Sequence, residues 1–256
     1  MESEVTRQQE AVLERFTRQA AHWGKLSVPE DVRAIFERVD VSSGDRVLDV
    51  AAGSGLLSRA LAPRVREVVA LDLTPAMLEN AREAASRDGV SNIRFVEGAA
   101  EEMPFSDGEF DLSVTRFSLH HIAQPQRVVD EMVRVTRKGG RVIIIDMFAS
   151  DDPKIAQRTN ELERRRDPSH AWTLSWTQLQ NLVRSASVQV VDAYTQDRVR
   201  DVEDWLDLAG AEHRAELRAV FEREISEGAD LTGLRAFREG ERILFHHPLG
   251  VIVAQV

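Results

Sequence analysis

The sequence contains no cysteine in 256 residues, which excludes disulfides, a thiolate metal site and a thiol nucleophile. It has no run of about 18 apolar residues, so no helix is expected to cross a membrane. The opening stretch MESEVTRQQEAVLERF carries charge throughout and lacks the apolar centre of a secretory leader. A soluble, cytoplasmic protein is expected, with no membrane partner. Basic residues are in deficit, 33 Lys and Arg against 43 Asp and Glu, for a formal net charge of −10. A nucleic-acid partner would want a basic face. The densest basic run, Arg164, Arg165 and Arg166, lies among acids, so no nucleic acid is expected either. Neither internal repeats nor low-complexity tracts are visible, and nothing in the pattern speaks to the oligomeric state.

What is present is a rhythm. Residues 1–44 read as helical: Phe16, Ala20 and Trp23 form one apolar stripe, and Val32, Ile35 and Phe36 begin another. From Arg46 strands and helices alternate. RVLDV (46–50), EVVALDL (67–73), NIRFVEG (92–98), FDLSVTR (110–116) and GGRVIIIDMF (139–148) read as strands. The second is followed by a helix with Thr74 as cap, Pro75 at its first position and Gly89 at its end. Near-continuous apolar strands alternating with helices imply a parallel sheet covered on both faces. The expected fold is α/β, a doubly wound, mostly parallel seven-stranded sheet forming a single domain over 1–256. Within it, 1–44 would be a helical lid and 45–148 the cofactor-binding core. Residues 149–186 and 200–240 would be helical insertions over the cleft, and 187–194 and 249–256 the closing strands.

The stretch RVLDVAAGSGLLSRALA (46–62) delivers a strand into a loop of small residues and then into an amphipathic segment. Such a turn lets a ligand lie against backbone and helix amides; a bare strand–helix turn is the simpler alternative. A second signal favours a ligand. The next strand ends on Asp72, an acid placed to accept both hydroxyls of a ribose diol. A nicotinamide dinucleotide and S-adenosyl-L-methionine both fit this pair. The dinucleotide fingerprint wants a third glycine for close helix–strand packing, and here Gly53 and Gly55 are followed by Leu56, Leu57 and Ser58. Asp49, inside the strand end, would repel a pyrophosphate and suit the cationic methionine end of S-adenosyl-L-methionine. Electrostatics favours the methyl donor.

The motifs LDVAAGSG, VVALDLTPAMLENAR, VEGAAEEMPFSDGEFDLSVTRFSLHHI and RVTRKGGRVIIID resemble successive motifs of the class I S-adenosylmethionine-dependent methyltransferases. The likeness is strongest to the branch that includes the ubiquinone/menaquinone-biosynthesis C-methyltransferases and many uncharacterised bacterial relatives, and it covers about residues 16–148. It implies a Rossmann-like methyltransferase fold and S-adenosyl-L-methionine as cofactor. It further implies that Asp49, Ala51, Ala52, Gly53 and Gly55 cradle the methionine part, that Asp72 holds the ribose, and that Leu73 and Met77 border the adenine. The turn Ala99, Ala100, Glu101 would face the adenine edge, and Arg116 would stand beside the methionine. Two positions depart from the common pattern: Ala51 replaces a glycine, as in the quinone branch, and Ala99 replaces an aspartate.

Methyl transfer from a sulfonium asks the protein mainly for alignment and exclusion of water, with a general base only where the acceptor must lose a proton. Candidates for the reacting side are Arg116 and His120, at the end of the fourth strand, and Arg166, Asp167 and His170 in the following insertion. For each histidine a packing role is the plain alternative. No metal site is expected. His246 and His247, before Pro248, read as surface residues of a turn, and Trp23, Trp172, Trp176 and Trp205 as packing for the insertions. The expected function is methylation of a small-molecule acceptor. A nicotinamide-dependent oxidoreductase and a non-catalytic S-adenosylmethionine-binding protein are the alternatives.

Overall fold

Strand β1 (Arg46–Val50) buries every residue after Arg46, as the central strand of a sheet covered on both faces must. A computed structural model describes residues 4–23, 41–207 and 209–256. In it β2 (Glu67–Asp72) and β3 (Ile93–Glu97) extend the sheet to one side of β1, and β4 (Phe110–Arg116) and β5 (Thr136–Met147) to the other, all parallel. Beyond β5, β8 (Arg242–Gln255) and then β6 (Gln189–Asp201) join antiparallel, giving the order β3-β2-β1-β4-β5-β8-β6, and the short β7 (Phe237–Glu239) pairs with the start of β8. The chain reverses direction across the sheet between β1 and β4, so the crevice beyond their carboxyl ends is where a ligand belongs.

Helices α4 (Pro125–Val135) and α6 (Trp176–Ser185) cover one face, over Leu48, Val69, Ile144 and Ile252. The short α2 (Leu56–Leu61) packs on the other, over Val47, Val68 and Val251. α3 (Pro75–Arg87) follows β2; Thr74 stands at its N-cap position in an extended conformation, although its side chain makes no capping bond. α1 (Glu4–Trp23) lies across the carboxyl end of the sheet, where its side chains meet the loops after β3 and β4. Val32, Ile35, Phe36 and the side chain of Trp23 fall outside the described residues. No described helix is long and apolar enough to cross a membrane.

The closing strands are longer than their apolar patterning predicts. β6 continues from the expected 194 to Asp201, and β8 begins at Arg242 rather than 249, with β7 as an eighth strand. The apolar alternation stops at Ala193 because the inner face of this extension turns to a cavity and carries Arg198 and Arg200, while backbone pairing continues. His246 and His247 therefore sit inside β8, not in a surface turn, and His247 is buried. Between Val190 and Asp192 the pairing slips by one residue, a β-bulge at Val191. A separate small core supports the extension: Trp205 of α7 (Val202–Leu206), Phe221 of α8 (Ala211–Glu227), Phe245 of β8, and Leu162 of α5 (Pro153–Arg166). The Trp205 and Phe221 rings meet edge to face at 5.4 Å. Trp176 packs on the main core, whereas Trp172 is 38% exposed under the Arg164 guanidinium.

Candidate active site

Three residues of the loop after β1 take left-handed backbone conformations, Ala51 (φ 54°), Gly53 (φ 55°) and Gly55 (φ 70°). Ala51 bears a cost of ~1–2 kcal/mol there that glycine would avoid. A Cβ on Gly55 would lie 3.0 Å from Cβ of Ala81, so Gly55 seats the loop against α3. Across the loop, Asp72 accepts from the Gly53 amide through Oδ2 at 2.7 Å and from the Thr74 amide through Oδ1 at 2.8 Å. Each carboxylate oxygen has a second lone pair, so both can still take a hydroxyl from the cavity. Asp49 is 1% exposed and accepts from Ser58 Oγ at 2.5 Å. Burial pushes its carboxyl up to about 7, helped by Asp72 and opposed by Ser58 and Arg116. In its ionised form this buried acid would meet a cationic ligand, and together these groups fit S-adenosyl-L-methionine.

The loop opens into a cavity of about 910 Å³, near the top of the ~300–1,000 Å³ usual for small-ligand sites. Of the residues expected at the cofactor, Asp49, Ala51, Ala52, Gly53, Asp72, Leu73, Met77, Ala100, Glu101 and Arg116 line it. Gly55 and Ala99 do not. Gly55 is taken up by helix packing, and the Ala99 carbonyl turns back to the Glu102 amide. The close-packing role looked for at a third glycine is thus filled by Gly55 itself.

Beyond β4 the chain passes through Phe117 at φ 53°, whose amide donates a hydrogen bond to the Ile145 carbonyl at 2.9 Å, with the Arg116 guanidinium 4.4 Å from its ring. A 3-10 turn (Leu119–His121) then carries two histidines. His120 lines the cavity with Nδ1 2.6 Å from Asp146 Oδ1. Asp146 also accepts from the Leu119 and Met147 amides. Burial pulls His120 down, but the Asp146 charge outweighs it and the imidazole lies above its ordinary value. Held this way, Nδ1 keeps its proton and Nε2 is left as the acceptor nitrogen. His121 is driven the other way, to about 4, first by burial and then by His120.

α1 closes this side. Gln8 Nε2 donates to the carbonyls of His121 and Ser169 at 2.8 and 2.6 Å, Arg15 pairs with Asp167 at 3.3 Å, and Phe16 meets the His121 ring at 5.2 Å. Asp167 and Arg166 line the main cavity; His170 does not. Its Nε2 is held at 2.9 Å by Asn160 Oδ1, its ring centre is 5.8 Å from that of His120, and it faces a smaller cleft on the far side. Burial takes it to about 3, a weak base one ring removed from the cavity. Arg166 is bound to Glu163, which is fully buried and also accepts from Trp205 Nε1 at 3.3 Å.

Sequence reasoning missed Asp146, Arg198, Arg200 and His247. Asp146 was detectable as an acid ending an otherwise apolar strand. The other three depend on pairing between β6 and β8, which no local pattern announces. Among the described residues no group of three or more His, Cys, Asp or Glu is placed to hold a metal ion.

Residues 48–144 match the family model described as a methyltransferase domain. The chain is 32% identical over 181 residues to the uncharacterized methyltransferase YcgJ of Bacillus subtilis, covering 71% of this chain and 72% of that protein. The crystal structure of the Bacillus subtilis YcgJ protein superposes with a TM-score of 0.79 at 26% identity, over 89% of this chain and 98% of the other. The ubiquinone/menaquinone biosynthesis C-methyltransferase UbiE of Ectopseudomonas mendocina is 34% identical over 129 residues, spanning 49% of this chain but only 50% of that enzyme. With the cradle of Asp49, Gly53 and Asp72 in place, the chain belongs to the class I S-adenosylmethionine-dependent methyltransferases and uses S-adenosyl-L-methionine.

Proposed function

We propose that this methyltransferase acts on a small-molecule acceptor, with His120 as the general base where the acceptor atom carries a proton. The observation that carries the reading is the single cavity, continuous from Asp72 past His120 to Arg200 and closed on one side by α1. A cavity of this volume, covered on one side by α1, has room for a cofactor and a small molecule side by side. When bound, S-adenosyl-L-methionine supplies a methyl group on a sulfonium, an electrophile whose departing thioether needs no protonation. The chain's part is to align and to exclude water, which alone is worth ~7–11 kcal/mol in favourable cases. Asp72 would hold the ribose, Asp49 would meet the positive methionine end, and Arg116 would stand beside the methionine. Nε2 of His120 takes the acceptor's proton, and Asp146 stabilises the imidazolium that forms. His170, lying behind the His120 ring, orients it through packing. If the acceptor is a carbon or an amine, the same groups only position it. Gln8, Arg15 and Phe16 make α1 the closing element.

The test is transfer of a radiolabelled methyl group from S-adenosyl-L-methionine into fractionated cell extract. Label in the low-molecular-mass fraction, lost with His120→Ala, is expected. Label confined to protein or nucleic acid would overturn the reading.

A further inference from the structure

We infer that the acceptor bears an oxyanion, a carboxylate or a phosphate, which is held by Arg198 and Arg200 of β6 and His247 of β8 at the end of the cavity away from Asp72. The inference rests on the reading that the acceptor occupies this cavity, and it names the acceptor's charge.

The first support is an inverted strand. β6 is the edge of the sheet, and an edge strand of a protein this acidic would ordinarily turn valine inward and arginine to water. Here Val191 and Val199 are 49% and 56% exposed, whereas Arg198 and Arg200 face the cavity. In the ladder Arg198 stands opposite His247 and Arg200 opposite Phe245, so the two guanidinia and the imidazole share one face. Phe245 is fully buried against Trp205 and Phe221, so a packed aromatic core backs this part of the wall.

The second support is the polar accounting. Arg200 makes no hydrogen bond or ion pair with a described residue; Glu163 and Asp204 act on it only at longer range, and burial together with Arg166 and Arg198 lowers its guanidinium to about 10. His247 is 7% exposed, and its Nε2 is buried with no partner. Burial keeps that ring neutral, at about 3, so it carries one N–H to donate. The carboxylates nearby are mostly engaged: Glu163 with Arg166, Asp167 with Arg15, Asp207 with Arg214 at 3.2 Å. Asp204, exposed at the mouth, is the remaining acid. Guanidinium groups and an imidazole on one face of one cavity wall are the donors that an oxyanion takes. An uncharged acceptor would leave the half-buried Arg200 guanidinium and the buried His247 ring without a partner among the described residues.

Inward-pointing charge also protects sheet edges from pairing with other chains. That explanation makes a different prediction, and one titration separates the two. Binding of S-adenosylhomocysteine is measured first by calorimetry, so a failure there falls on the cofactor site and not on this inference. The saturated protein is then titrated at constant ionic strength with benzoate, with inorganic phosphate and with benzyl alcohol. One of the anions should bind more tightly than benzyl alcohol, and which one does so distinguishes a carboxylate from a phosphate. R200Q should weaken that binding at least tenfold, R198Q/R200Q should abolish it, and R200K should restore part of it, with S-adenosylhomocysteine affinity and melting temperature unchanged throughout. Neither anion exceeding benzyl alcohol would overturn the inference. Equal anion binding in R200Q, or self-association of the variants as their only change, would overturn it too.

Discussion

At the β1–β2 end of the cavity the polar side chains are acids fixed by backbone amides. At the β6–β8 end they are arginines and a histidine fixed by the long antiparallel pairing of two strands far apart in the chain. Asp72 is oriented by Gly53 and Thr74, residues of the two adjoining loops. Arg198 is oriented by its opposition to His247, whose place in the chain is remote. One end therefore suits a cationic, hydroxyl-rich ligand and is built from local geometry. The other suits an anion and exists only once the whole sheet has formed. Between them His120, restrained by Asp146 at 2.6 Å, marks the seam where two ligands would meet.

The sharpest way to break this contrast is at the seam. With an acceptor hydroxyl, His120→Ala should lower turnover by ~10²–10⁴-fold while leaving cofactor affinity within twofold, measured by steady-state kinetics and calorimetry. The pH profile refines the point. The Asp146 charge raises His120, so activity should rise with pH through a midpoint above the ordinary histidine value. In Asp146→Asn the imidazolium loses that support, and the rising limb should move to lower pH as turnover falls. An unmoved limb would take His120 out of the proton transfer.

Next in size is Asp72→Ala. Losing two bonds to a charged acceptor, at ~1.5–3 kcal/mol each, should weaken S-adenosyl-L-methionine binding by two orders of magnitude or more. Turnover at saturation should change far less. Unchanged affinity in a folded variant would remove Asp72 from the cofactor site.

The smallest effect concerns Asp49. Its carboxyl, raised by burial to about 7 in the free protein, must be ionised to attract a cation. Affinity should therefore fall about tenfold from pH 8 to pH 6, with proton release on binding near neutrality. Asp49→Asn should bind more weakly with a flat profile. A wild-type profile already flat would mean that Asp49 does not sense the ligand's charge.

The same contrast governs how much of the molecule was legible from its residues. β1, β2, β4 and the apolar part of β5 follow from apolar runs punctuated by turns, because strands buried on both faces must be apolar along their length, whereas the edge strand β3 shows a weaker pattern with Arg94 and Glu97 exposed. The cofactor loop follows from small residues bracketed by Asp49 and Asp72, since close backbone approach has few solutions. Ala99 and Gly55 came out displaced by one step, because a motif fixes a turn without saying which residue of it faces inward. His247 sits in a strand and not in a surface turn because a polar strand lining a cavity and a polar turn facing water have the same composition, and only long-range pairing separates them. Asp146 needed the reverse inference, from a buried acid to the partner that must neutralise it.

The bulge at Val191 decides which side chains reach a wall it does not touch. Val190 faces the same core as Ala254, and strict alternation from it would keep every even-numbered residue of β6 on that side. The extra residue reverses the parity, so Tyr194, Arg198 and Arg200 lie on the opposite face. The chemistry of this cavity wall thus depends on a bulge well away from it. Pairing at the same strand length without the bulge would slip the register by one residue and set Asp197 and Val199 on the wall in place of Arg198 and Arg200, with no cofactor contact altered.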